Sequence, residues 1–356
     1  MPVSHENKNM FRIMDYEGRI IEKKEPELSK SQLENIYLYM ITTRLVDVKS
    51  LKLQRQGRLG TFAQSLGHEA CQVGSALALK KEDWFFPYFR DLGAYITLGL
   101  PLKLYFVYWM GNEMGMSIPP ELNIFPLAVP VASQIPHAVG AAMAAKIKGD
   151  KRVFLTTFGD GATSEGDFHE ALNFAGVYKT PNVFVCFNNQ YAISLPRDKQ
   201  TASKTLAEKA EAYGFSGQLV DGNDVLAMYV STKKALDKAR KGGGPSMIEA
   251  FTYRMSDHTT SDDATKYRSE EEIKLWEKRD PVVRFKKYLQ NKKIWNNQFE
   301  ERITKKANEN IEKAVKQAEA MPPPKIEDLF KYTYKEMPSH LKEQLDELKI
   351  FLKEKK

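Results

Sequence analysis

The chain has 356 residues, 42% of them hydrophobic, and a formal net charge of +7, enough apolar material for a large α/β core with helical additions. No stretch approaches the ~20 apolar residues of a membrane span, and Cys71 and Cys186 sit in apolar contexts without a Cys-x-x-Cys, which excludes membrane and disulfide-scaffold classes and makes a reducing, cytoplasmic setting the expectation. The positive charge does not point to nucleic acid, because lysines and acids interleave, as from Glu271 to Asp280, in the manner of solvated helix faces.

Residues 1–30 read as an N-terminal extension, whose Glu6, Asp15, Glu17 and Glu22 do not suit a transit peptide. A long helix is predicted over 31–56, opened by Ser29 or Ser31, with Leu33, Ile36, Met40 and Leu45 at helical spacing and Gly57 at its end. Helices follow over 67–80 and 135–148, the second rich in small residues that permit close packing. The apolar, β-branched runs 152–158 and 183–187 read as buried parallel strands. Between them a helix from Gly166 puts Phe168, Leu172 and Ala175 on one face, completing a strand, crossover helix, strand unit. A further unit over 202–214, a strand near 217–221, a helix over 224–241, a break at Gly242-Gly243-Gly244-Pro245 and a strand over 246–253 continue the alternation. Beyond residue 269 the chain turns to charged helices, interrupted by Pro322, Pro323 and Pro324 and ending in a stripe of Leu341, Leu345, Leu348 and Leu352 that would dock on its own subunit or a partner. The expected organisation is an α/β domain over 31–268, a mostly parallel sheet flanked by helices, with helical N-terminal and C-terminal (269–356) extensions.

Gly159-Asp160-Gly161 leaves the first apolar strand and Asn188-Asn189 leaves the second. Ligands in such sheets lie beyond the carboxyl ends of the strands. Glycines 159 and 161 allow a phosphate close to the backbone, and the Asp160 carboxylate with the Asn189 amide oxygen are the hard ligands that Mg2+ prefers. Each half alone is an ordinary turn or strand cap, but the two at this spacing point to one charged cofactor. A dinucleotide fingerprint is absent, since position 164 is Ser164 rather than a third glycine, and His68-Glu69 and His169-Glu170 are followed by Gln72 and Asn173 where a zinc protease needs a second histidine.

The segments Gly159-Asp160-Gly161-Ala162 and Asn188 to Ser194 resemble the thiamin diphosphate motif, and the chain from about 30 to 340 resembles the α subunit of a 2-oxo acid dehydrogenase E1 component. The likeness extends through Gln54 to Arg58, Gly67 to Ala70, Ser133 to Pro136, Val220 to Asp224, Tyr253-Arg254 and Tyr267 to Ser269. It implies the thiamin-diphosphate-binding fold, with Mg2+ held by Asp160, Asn189 and Tyr191. It also implies that Phe89, Arg90, Val131, Gly159, Gly161, Ala162, Arg254 and His258 contact the cofactor. Arg90, a permanent forked donor, would clamp the diphosphate. Phe89 stands where the family usually has tyrosine, and Phe187 where some relatives have arginine. His258 matches the histidine that assists acyl transfer to a lipoyl group, a role suited to a side chain titrating near neutral pH. Some relatives bind K+ through the equivalents of Ser133 and Gln134.

The resemblance implies cofactor-driven decarboxylation of a 2-oxo acid, with the acyl group passing to the lipoyl domain of E2. The activating glutamate would come from a separate β subunit, so the expected working form has two α and two β chains. The loop from Ser256 to Asp263 and the run Gln54 to Arg58 look closer to branched-chain 2-oxo acid enzymes, which are the favoured substrate reading. Arg58 to Gly60 and the tail from Glu336 to Lys342 look closer to pyruvate enzymes; acetoin dehydrogenase and a noncatalytic scaffolding paralogue are the remaining alternatives.

Overall fold

The computed structural model describes residues 9–22 and 24–354. Before the central sheet come α1 (Lys30–Arg55), α2 (Glu69–Leu77), α3 (Leu92–Thr97), α4 (Leu102–Trp109) and α5 (Gln134–Ile147), with the short strand β1 (Trp84–Phe86) among them. Then follow β2 (Phe154–Gly159), α6 (Gly166–Tyr178), β3 (Asn182–Asn188), the small hairpin β4 (Tyr191–Ala192) and β5 (Leu195–Pro196), and α7 (Arg197–Gln200). The chain continues through β6 (Gly217–Asp221), α8 (Val225–Arg240) and β7 (Ser246–Phe251). Five helices close it: α9 (Glu270–Glu277), α10 (Pro281–Asn291), α11 (Asn297–Glu319), α12 (Asp328–Lys331) and α13 (Ser339–Glu354).

The sheet runs β1-β2-β3-β7-β6, parallel throughout. Along β3 the side chains alternate between two layers. Val183, Val185 and Phe187 join the core built with α1, α2 and α8, whereas Phe184 and Cys186 join Val139, Phe168 and Leu172 from α5 and α6. A fully apolar strand is what a sheet covered on both faces requires. Truncating a side chain as enclosed as Leu172, which has no exposed surface, would cost about 2–5 kcal/mol.

Helix α1 shows how local chemistry sets an element's start. Ser29 Oγ accepts the Gln32 amide at 3.3 Å while Gln32 Oε1 accepts the Ser29 amide at 2.9 Å, a reciprocal capping box. Strand β1 had no separate signal in the sequence; three residues are too few to show periodicity, and its partner β2 defines it. Within 202–214 the observed element is a 3-10 segment, Ala207–Tyr213.

The N-terminal extension departs from expectation. Among the described residues no helix precedes Lys30. Instead the Phe11 amide donates to Leu219 O (3.0 Å) and the Asp221 amide to Phe11 O (2.9 Å), so the segment lies along β6. β6 is the sheet's edge, and its unpaired backbone groups favour extended chain over helix there. In the C-terminal helix α13, Leu345 is buried, Leu341 and Leu348 are half-buried and Leu352 is 37% exposed, so the leucine stripe is only partly covered. No helix among the described residues is long and apolar enough to cross a membrane.

Candidate functional site

Four neighbouring strands release the chain into one place. The register pairs Gly159 with Phe187, so Asp160 emerges from β2 beside Asn188 and Asn189 at the end of β3. From β7, the Thr252 amide donates to Asn188 O (2.9 Å) and the Arg254 amide to Asn189 O (3.4 Å), which ties the loop carrying Arg254 and His258 to that corner. β1 leads into Tyr88, Phe89 and Arg90. These strand ends and the loop 128–132 enclose a cavity of about 610 Å3.

Its floor is the motif pair. Asp160 is buried, and that burial raises its pKa to about 6. Its Oδ2 has no hydrogen-bond partner. A buried carboxylate oxygen without a donor costs free energy unless a cation or donor arrives. Asn189 Oδ1 accepts the Tyr191 amide at 3.3 Å, and the Tyr191 carbonyl accepts Arg254 Nη1 at 3.2 Å. Among the described residues no three His, Cys, Asp or Glu side chains gather as metal ligands, so a cation here would have one carboxylate and otherwise neutral oxygens. At Gly161 an added Cβ would lie 3.1 Å from Ala192 Cβ, so glycine keeps the two motif loops in contact; Gly159 has no such constraint, its nearest neighbour being 3.9 Å away. Ala162 is buried against them.

Of the two expected arginines, Arg90 lines the cavity, whereas Arg254 lies behind the lining, held by the Tyr191 and Ile193 carbonyls. Arg90 is buried without any carboxylate partner: its guanidinium donates to Gln64 O and, through Nη2, to His258 O (2.9 Å) and His258 Nδ1 (3.1 Å). Arg254 donates to Ile193 O (2.7 Å) and the Tyr267 hydroxyl (2.9 Å), and its Nη1 lies 3.5 Å from the same Nδ1. Burial, then Arg90, then Arg254 push the His258 pKa down to about 3. The expected near-neutral titration is therefore absent in this state: two fixed cations face the ring, and Nδ1 is the acceptor, so the ring proton sits on Nε2. Phe89 meets His258 edge-on at 6.0 Å between ring centres.

Val131 lies on the rim and is 51% exposed, followed by Ala132 in a left-handed backbone conformation (φ 68°). Ser133 Oγ donates to Pro130 O (2.9 Å), and Gln134 Nε2 donates to Thr157 O (2.7 Å) while its Oε1 is buried without a partner. His68 begins α2 with no cap bond from its ring, and packs in the core instead. Phe62, Trp109 and Gln200 also line the cavity, and no local pattern marks them in the sequence. Phe62 and Trp109 meet edge-on at 6.4 Å, and Gln200 approaches Gly161 from the end of α7; these contacts join segments with no shared local pattern.

Residues 37–327 match the family described as dehydrogenase E1 component. The chain belongs to that family. It is 42% identical over 338 residues to the pyruvate dehydrogenase E1 component subunit alpha of Bacillus subtilis (strain 168), covering 94% of this chain and 91% of that protein. The subunit of the same name from Acholeplasma laidlawii is 44% identical over 341 residues, covering 95% and 99%, and that of Staphylococcus aureus (strain Mu50 / ATCC 700699) 43% over 339 residues, covering 95% and 92%. The E1 α reading of the sequence stands. Its branched-chain preference is not supported, because these relatives are all pyruvate dehydrogenase subunits, which fits the pyruvate alternative better.

Proposed function

We propose that the cavity holds Mg2+ and thiamin diphosphate, and that the chain is the α subunit of a pyruvate-decarboxylating E1 enzyme that passes the acyl group to the lipoyl domain of E2. The observation that carries this is the unpartnered, buried Asp160 Oδ2 in a cavity that also exposes the buried guanidinium of Arg90, which makes no salt bridge among the described residues. Such a cavity suits a bound cation joined to an anion, and the relatives' names supply the substrate.

In this reading Asp160, the Asn189 amide oxygen and the Tyr191 carbonyl hold the metal. Gly159, Gly161 and Ala162 line the diphosphate, Arg90 and Arg254 offset its charge, and Phe89 and Val131 border the rest of the cofactor. When bound, thiamin diphosphate supplies the electron-accepting ring for decarboxylation. His258 lines the cavity with its ring proton on Nε2, and an anion bound beside Arg90 raises its pKa toward the range where it can exchange protons. Gln134 Oε1, lacking a partner, supports the K+ expectation at Ser133 and Gln134.

The rim supports a β partner. Val129, Val131, Ile193 and Leu195 are 45–56% exposed around the mouth, and besides Asp160 the lining carries only Glu165, which is exposed. An apolar rim with no internal acid to activate the cofactor suits completion by a second chain. The test is to assemble α with β, measure Mg2+-dependent thiamin diphosphate binding, and compare kcat/KM for pyruvate and branched-chain 2-oxo acids. Pyruvate should win. A higher constant for branched-chain acids overturns the substrate, absence of cofactor binding overturns the enzyme reading, and activity of α alone overturns the shared site.

A further inference from the structure

Next to Asn188, at the end of β3, lies a further buried carboxylate. Glu249 is in the middle of β7, between Cys186 of β3 and Leu219 of β6, and is 2% exposed. Its two oxygens reach two different segments. Oε1 accepts Asn188 Nδ2 at 2.7 Å, and Oε2 accepts the Ala207 amide at 2.8 Å. Both partners donate, so an ionised carboxylate, which only accepts, fits the position as no other side chain of that size does.

The first of these bonds fixes the orientation of Asn188. With Nδ2 committed to Glu249, Asn188 Oδ1 faces the other way and accepts the Gln190 amide (3.2 Å) and Gln190 Nε2 (3.0 Å). Turning the amide over would set Oδ1 against the carboxylate and Nδ2 against two donors, so the network admits one arrangement. Gln190 is thereby held with φ 75°, a left-handed conformation unfavourable to a residue with a side chain. Asn189 lies between the two anchored residues and Tyr191 follows directly. The strand end therefore has its oxygens aimed before any ligand arrives.

We propose that Glu249 is a positioning residue for the metal: through Asn188 and the Gln190 turn it sets the direction of the Asn189 amide oxygen and the Tyr191 carbonyl. This rests on the reading of the cavity given above. Supporting groups bonded directly to a metal ligand typically govern about 10–100-fold in affinity, and Glu249, which acts through Asn188 and Gln190, should fall at the lower end of that range.

A charge-swapped pair tests it. In Glu249→Gln the new amide must place its NH2 against one of two donors. In Asn188→Asp two carboxylates face each other. In the double variant N188D/E249Q every bond is restored in reverse, since the amide at 249 donates to the carboxylate at 188 and accepts from Ala207, while the carboxylate still accepts from Gln190. Mg2+-dependent thiamin diphosphate binding is measured by calorimetry on the assembled α and β chains, alongside thermal unfolding without ligand. Each single variant should weaken binding about tenfold or more, and the double should return to within about threefold of the parent. If E249Q alone does not fold, the double variant still decides, because it must fold and bind. Binding by E249Q within twofold of the parent, or a double variant that fails to fold or binds no better than the weaker single, overturns the inference. Loss of binding in the parent itself is a separate outcome and overturns the cavity assignment instead.

Discussion

The two walls of the cavity are built on opposite terms. The floor around Asp160 and Asn189 grows directly out of β2 and β3, is buried, and keeps one oxygen without a donor. The cationic side hangs on loops: Arg90 follows β1, Arg254 and His258 follow β7, and their bonds go mostly to carbonyl oxygens of other loops. A buried carboxylate oxygen without a donor and a buried guanidinium without a salt bridge are each costly alone, and a bound cation and anion would offset both costs. The difference teaches that the sheet supplies direction and the loops supply charge.

The sharpest way to break this arrangement is Asp160→Asn. Cofactor binding by the assembled protein should fall by more than about 100-fold, read by titration with Mg2+ present. The ligand-free fold should gain about 2 kcal/mol at pH 7, read by denaturant unfolding, because ionised Asp160 is disfavoured by burial. Equal binding, or a loss of stability, would remove the floor from the comparison. Next comes Arg90→Lys, which keeps the charge and removes the fork. Binding should weaken about 10–100-fold with KM for the 2-oxo acid little changed, whereas a role confined to packing would show in unfolding and not in cofactor affinity.

A smaller effect separates the walls by pH. The His258 pKa is near 3 in the folded chain against its ordinary 6.5. Between those values the unfolded chain binds a proton that the folded one does not, so this contribution is complete above 6.5 and is lost as pH falls toward 3. Ligand-free wild type should therefore lose about 1 kcal/mol more than His258→Ala on going from pH 6.5 to 5.5, and parallel curves would show that burial and the two arginines do not depress the ring's pKa. The smallest effect belongs to Val131→Ala. Its side chain is half exposed on the rim, so binding should change less than about threefold.

Much of this fold was legible because β2 and β3 are short apolar runs ending in glycine and asparagine, and the crossover helix α6 has a single apolar face. The floor was legible for the same reason: Asp160 and Asn189 sit where those runs stop. His258 was found as a residue but not in its state, since the cation nearest its ring, Arg90, lies 168 positions away. Glu249 has no signal of its own within the run 246–253, and only pairing between β3 and β7 brings it to Asn188. The N-terminal segment read as a helical extension because nothing in its own composition announces the free edge of β6.

Ala132, Gln190 and Ile193 all carry side chains in left-handed backbone conformations around the cavity mouth and floor. Such residues cost roughly 1–3 kcal/mol each and persist because their surroundings hold them. Glycine at these positions would relieve the cost in the free chain while letting the turns wander. A search for heat-resistant forms that scores the bare subunit would thus collect the changes that blunt its activity, so such selection belongs on the loaded, assembled enzyme.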